Sequence, residues 1–319
     1  MPRSIMAYVV THTGLHQAGL AALSVAVFAL SVVPLDLQRR IVNALSHQAA
    51  FETIAWLAVG YAAVALVEQA LKMALNIYRG WVAESTVRRL RDTVQSAAIG
   101  AHADTAESAG IEIAMILEEA EPIGGFTGIS LSEPLLQAGI LVSVVSYMVV
   151  LQPWLALIGL AFFLPQTIFV PWLQRAINRR ARERILVKRG VSGAIAGGHR
   201  QPQEARRGPI QRIFALNMGI YRRKFFMNLL MNLMHHLSVA VALCVGGWMV
   251  LEGRIELGTV VAVVAGLGKL NDPWGDLVNW AREYSVVAVK YRLFAGAADV
   301  LGAASGGGRP FPRYAPTPT

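Results

Sequence analysis

Charge is scarce in this sequence. Asp, Glu, Lys and Arg make up 15% of 319 residues, while hydrophobic residues reach 55%. A soluble globular chain carries about a quarter charged residues, so a soluble fold is set aside. Cysteine is nearly absent too. Cys244 is the only one and falls in an apolar stretch, which excludes an intramolecular disulfide and reads as a small buried core residue. HExxH, a Cys cluster and a nucleophile elbow are all missing, so neither metalloprotease nor hydrolase chemistry has a footing. His12 and His16 have i,i+4 spacing but no nearby acid to complete a metal site. The expectation is a chain with no catalytic residues, no cofactor and no metal of its own.

What the sequence does contain is apolar runs near the roughly 20 residues needed to cross the hydrocarbon layer as a helix. Six are expected, at about 15–33, 51–77, 131–151, 154–173, 226–251 and 257–278. Gln152-Pro153 separates the third from the fourth, and Glu252-Gly253-Arg254 the fifth from the sixth, so each pair forms a tight hairpin. Arg3 precedes the first run and no small-residue cleavage site follows it, so it reads as a retained helix. The fold class is an all-α membrane protein with six transmembrane helices. Residues 1–14 form an N-terminal cytoplasmic or interfacial segment, 15–301 the membrane domain, and 302–319 a flexible Gly/Pro-rich tail.

The formal charge of +9 raises nucleic-acid binding, but Lys and Arg cluster between apolar runs and form no single basic face. Arg79, Arg88, Arg89 and Arg91 lie between runs two and three. A longer series from Arg175 to Lys224 lies between runs four and five. The positive-inside rule makes both connections, and both termini, cytoplasmic. Gly80 apart, Tyr78 to Ser96 and Gln174 to Arg189 lack helix breakers until Gly100 and Gly190, so long helices should leave the membrane, turn near the glycines and return.

This layout resembles the membrane domain of ABC exporters whose helices extend far beyond the bilayer. Gly246-Gly247-Trp248-Met249-Val250-Leu251-Glu252-Gly253-Arg254-Ile255-Glu256-Leu257-Gly258-Thr259-Val260-Val261-Ala262 is similar to the family's hairpin between helices five and six. Pro153-Trp154-Leu155-Ala156-Leu157-Ile158 through Pro165 resembles the hairpin between three and four. Pro34-Leu35 with Gln38-Arg39-Arg40-Ile41-Val42-Asn43 resembles the end of helix one, and Lys290-Tyr291-Arg292-Leu293-Phe294 the close of helix six. Two departures stand out. The phosphate-cradling loop of the family's ATPase domain is absent: the only Gly-Lys pair, Gly268-Lys269, is followed by Leu270 and has Val263 where that loop needs its first Gly. The run Gly197-Gly198-His199-Arg200-Gln201-Pro202-Gln203-Glu204-Ala205-Arg206-Arg207-Gly208-Pro209 replaces the family's usual sequence after its second coupling turn.

Ionisable residues inside a membrane need a partner or a water-filled cavity. Glu68 and Lys72 stand one turn apart in the favourable order for an ion pair. Lys269, Asp272, Asp276, Asn279 and Glu283 form a polar stripe beside Pro273, and Asn228, Asn232, His235 and Ser238 form another. Their alternatives are walls of a translocation path or interhelical hydrogen bonding. Candidate pathway residues are therefore Glu68, Lys72, Asn232, His235, Lys269, Asp272 and Asp276. The resemblance adds His102, Asp104, Glu107, His199, Gln201 and Glu204 as candidates at turns that meet an ATPase.

The resemblance implies the membrane-spanning subunit of an ABC-type exporter in a bacterial inner membrane. It would pair with itself or a similar chain and meet ATP only through a separate nucleotide-binding subunit. Two rivals remain open: a degenerate exporter domain acting as a non-transporting interaction or regulatory protein, and an ion-coupled carrier or channel.

Overall fold

A computed structural model describes residue 2 and residues 4–100, 120–196 and 203–304. Among the described residues every regular element is a helix: α1 (Ile5–Leu30), α2 (Val33–Ser46), α3 (Phe51–Gly100), α4 (Ala120–Ile129), α5 (Ser132–Leu151), α6 (Pro153–Ala196), α7 (Gln203–Leu251), α8 (Leu257–Gly268) and α9 (Asn271–Ala304). Five helical runs are long and apolar enough to cross a membrane: Ile5–Ser46, Phe51–Ser96, Ala120–Leu151, Pro153–Arg184 and Gly208–Leu251.

Helices α3, α6 and α7 contain 50, 44 and 49 residues. At 1.5 Å per residue each is at least twice the roughly 30 Å hydrocarbon thickness, so the long extensions beyond the membrane are present. The first helix begins at Ile5, with the Ser4 side chain accepting from the Ala7 N–H at 3.2 Å, so residues 5–14 are helical and continuous with the apolar run that follows. Residues 302–304 still belong to α9, and the rest of the Gly/Pro-rich stretch lies outside the described residues.

Prolines set three of the breaks. Pro34, Pro134 and Pro273 each fall within the first turn of a helix, where a missing N–H costs nothing. Each would also clash with the carbonyl four residues earlier if the preceding helix continued. For Pro134 the freed carbonyl is Ser130 O, which accepts the Trp280 indole N–H at 3.2 Å. For Pro273 the break falls at Lys269-Leu270, where the Leu270 N–H reaches back to Leu267 O at 3.3 Å. The expected sixth span of 257–278 is therefore two helices. Its first, α8, has 12 residues, short of a crossing on its own.

Two compact units divide the chain. One comprises Met1–Leu37, Ala50–Val144 and Asp272–Thr319, the other Gln38–Ala49 and Val145–Asn271. In the first, Ile5, Tyr8 and Val9 of α1, Val87, Leu90 and Val94 of α3, Ile123 and Phe126 of α4, and Val287, Tyr291 and Phe294 of α9 form one core. Gly124 and Gly128, one turn apart on α4, let its backbone approach α3. A Cβ on Gly124 would lie 2.9 Å from Ala83 O, and one on Gly128 would collide with Arg79 O. This is the small-residue spacing that membrane helices use for close contact.

In the second unit, α6 and α7 run as a hairpin with α8 packed on them. A Cβ on Gly159 would lie 2.5 Å from Leu267 Cδ2, and one on Gly246 would lie 2.9 Å from Val260 Cγ1. The α7–α8 turn is a Schellman cap: Arg254 N–H bonds Met249 O and Gly253 N–H bonds Val250 O, both at 2.9 Å, with Gly253 at φ 69°. Asn43 of α2 clasps this turn. Its amide donates to Glu256, and its Oδ1 accepts the Gly258 N–H at 2.8 Å. Cys244 is exposed, which corrects the expectation of a buried core thiol: it sits on the outer face of α7, beside exposed Leu243.

Candidate translocation pathway

The first unit contains a polar assembly that none of the sequence patterns brought together. Arg79 leaves α3 just past the expected membrane limit and is only 8% exposed. Its guanidinium meets Glu133 of α5 at 2.6 Å and donates from Nε to Ser132 Oγ at 2.8 Å. The other Glu133 oxygen accepts the Gln137 amide at 2.8 Å, one turn along α5. The same amide donates to Asp276 Oδ2 of α9 at 3.1 Å. One guanidinium and one amide thus tie two carboxyl groups across three helices. Arg79 NH2 is buried with no hydrogen-bond partner.

This assembly joins a seam along α1. The Gln17 amide donates to Thr127 O at 2.8 Å, and the Ser24 hydroxyl reaches Ser132 O at 3.2 Å, both at the α4–α5 break. The break and its neighbours are held by side chains where the helical ladder is interrupted.

Of the sequence-derived candidates in this unit, Glu68 and Lys72 form an ion pair at 2.7 Å on α3, the acid buried and the base at its side chain's 36% exposure. Asp276 joins the assembly above, and Asp272 stands exposed in the first turn of α9. Asn279 and Glu283 of the same stripe are exposed as well. That face of α9 is polar and uncovered in this unit.

In the second unit, Asn232 is exposed, whereas His235 lines a cavity of about 10 Å³ with Gln166, Ser238 and Asn271 among its walls. Gln166 is 2% exposed and its Oε1 has no partner. The cavity has about the volume of a single water molecule. Lys269 sits at the α8–α9 break. His102, Asp104, Glu107, His199 and Gln201 lie outside the described residues, and Glu204 falls in the first turn of α7. His12 Nδ1 is 3.2 Å from Tyr8 O, and His16 Nδ1 is 2.9 Å from the Tyr78 hydroxyl.

A helical fold with five apolar runs of membrane-crossing length, and with charges held in pairs inside them, defines an integral membrane protein. The family model for the ABC transporter transmembrane region matches residues 18–196, more than half the sequence, and the chain belongs to that family. No curated protein matches it.

Proposed function

We propose that this chain is the membrane-spanning subunit of an ABC-type exporter. It forms the translocation pathway with a second copy or a similar chain and is driven by a separately encoded ATPase. The family match over 18–196 carries the reading. A phosphate-cradling loop is not among these 319 residues, so the motor of the proposed exporter is a domain outside them. The pathway wall is assigned to Asp272, Asp276, Asn279 and Glu283 of α9, with Gln137 and Glu133 holding Asp276 in place. The chain sits in a bacterial inner membrane with its basic connections and both termini in the cytoplasm.

The test is copurification of the full chain from its native membrane. A nucleotide-binding subunit that elutes with it in fixed ratio supports the reading. Recovery of the chain without one, under conditions that preserve other membrane complexes, favours a second reading: a degenerate exporter domain with an interaction or regulatory role. The unusual run from Gly197 to Pro209, where the family has its second coupling region, is the observation on that side.

A further inference from the structure

We propose that the membrane-proximal end of the α6–α7 hairpin is a binding surface for the headgroups of anionic phospholipids. From Gln174 to Lys224 the sequence places twelve arginines and two lysines against Glu183 and Glu204 alone. That formal excess of +12 is larger than the +9 of the whole chain, so all the other residues together are net acidic.

These charges fall into two groups. Some find protein partners: Arg212 bonds Glu183 at 2.7 Å, Arg184 donates to Asn217 at 3.1 Å, and Arg223 donates to Gly219 O at 3.1 Å. Arg180 is drawn in by Gly219, whose missing side chain leaves room for its guanidinium. The others face outward along the same stretches. Arg175, Arg179, Arg182, Arg222 and Lys224 are exposed, and among the described residues none of them has an ion pair or side-chain hydrogen bond.

Their level matches a headgroup layer. Arg175 follows the expected end of its span at Leu173 by two residues, and Arg222 and Lys224 precede the start of theirs at Phe226 by four and two. At 1.5 Å per residue these positions lie within about 6 Å of the hydrocarbon edge. The interfacial region is only some 5–8 Å thick per leaflet; Arg179 and Arg182 stand about 9 and 14 Å beyond Leu173, so only side chains turned back toward the membrane would bring their charge to it. Trp172 at 67%, Tyr221 at 49% and Phe225 at 64% exposure sit at the same level, with the Tyr221 and Phe225 rings 6.2 Å apart. An aromatic girdle marks the interface, and unpaired cations beside it face the lipid phosphates. Trp172, Arg175, Arg179 and Arg182 recur at steps of three and four, so α6 presents them on one face. Clustered Lys and Arg next to a membrane-spanning helix bind acidic lipid by this arrangement.

The test uses the intact chain in neutral detergent, with phosphatidylglycerol or phosphatidylcholine titrated in and retained lipid counted by native mass spectrometry. Phosphatidylglycerol is expected to be retained and phosphatidylcholine not. Raising the salt should weaken retention, and inorganic phosphate should fail to displace the lipid. The triple variant R175Q/R222Q/K224Q should lose affinity by roughly a hundredfold, at about fivefold per cation removed. Arg212→Gln, which removes a cation that already has a protein partner, should retain lipid as the parent does. Equal retention of the two lipids, displacement by free phosphate, or a triple variant that retains lipid normally but loses a copurifying acidic protein would each overturn the proposal. If the triple variant does not fold, the salt series on the parent chain decides, and retention insensitive to salt refutes the surface.

Discussion

Replacing Arg79 by Met perturbs the assembly at its centre. Losing one partner of a buried ion pair costs about 3–5 kcal/mol, because the remaining charge is left in a poor dielectric. The pair qualifies as buried, with side-chain exposures of 10% for Arg79 and 16% for Glu133. Two features lower the expected value. Gln137 continues to donate to Glu133, and the substitution also removes the unpartnered Arg79 NH2, a buried donor that costs about 1–3 kcal/mol where it stands. Arg79→Met should therefore destabilise by about 2–3 kcal/mol. Glu133→Leu, which strands the guanidinium with only Ser132, should cost about 3 kcal/mol or more. The double variant should cost about 2 kcal/mol, well short of the sum, because neither charge is then stranded. Reversible unfolding in mixed micelles of a denaturing detergent, followed by helical circular dichroism, measures all three. Additive losses, or single variants within about 0.5 kcal/mol of the parent, would refute a coupled pair.

Other substitutions report on the fold around it. Gly128→Val drives a side chain into Arg79 O and should lower the melting temperature through an overpacking cost of about 1–3 kcal/mol or more, seen by thermal scanning in detergent. Asn43→Ala removes the donor to Glu256 and the acceptor for the Gly258 N–H, and should destabilise by about 1 kcal/mol in the same scan. Gln48→Gly should stabilise by roughly 0.5–1 kcal/mol, because Gln48 closes α2 at φ 52°, where a side chain is disfavoured and glycine is not.

The long apolar runs made most of the helices legible, since apolar length is what a membrane demands of a crossing segment. The long extensions were legible for a related reason: Tyr78 to Ser96 and Gln174 to Arg189 hold good helix formers, with Gly80 a lone interior glycine that α3 runs through. The split of the last expected span was harder to see. Pro273 was visible, but average hydropathy across Leu257 to Val278 conceals the carbonyl clash that ends α8 five residues before it.

The Arg79 assembly escaped because its members come from three separated stretches. Arg79 lay two residues beyond an expected span and was absorbed into the positive-inside pattern, and Glu133 and Gln137 fell in a run read as plain membrane helix. A usable signal did exist. Gly124 and Gly128 stand at the GxxxG spacing of close-packed membrane helices, and that spacing in α4 marks where α3 carries Arg79 against the α4–α5 break. Asp276 and His235 were visible from their stripes, but their neighbours Gln137 and Gln166 were not, because one uncharged amide in an apolar run leaves periodicity unchanged.

The proposed function holds that this chain is the membrane part of an exporter whose motor is another protein. The direct measurement is ATP hydrolysis by the candidate nucleotide-binding subunit in lipid nanodiscs, with and without this chain. Stimulation on adding the chain, lost when the membrane subunit is denatured, is the expected result. Hydrolysis unchanged by the chain, together with solute movement driven by a proton gradient in liposomes holding this chain alone, would contradict the account and identify an ion-coupled carrier.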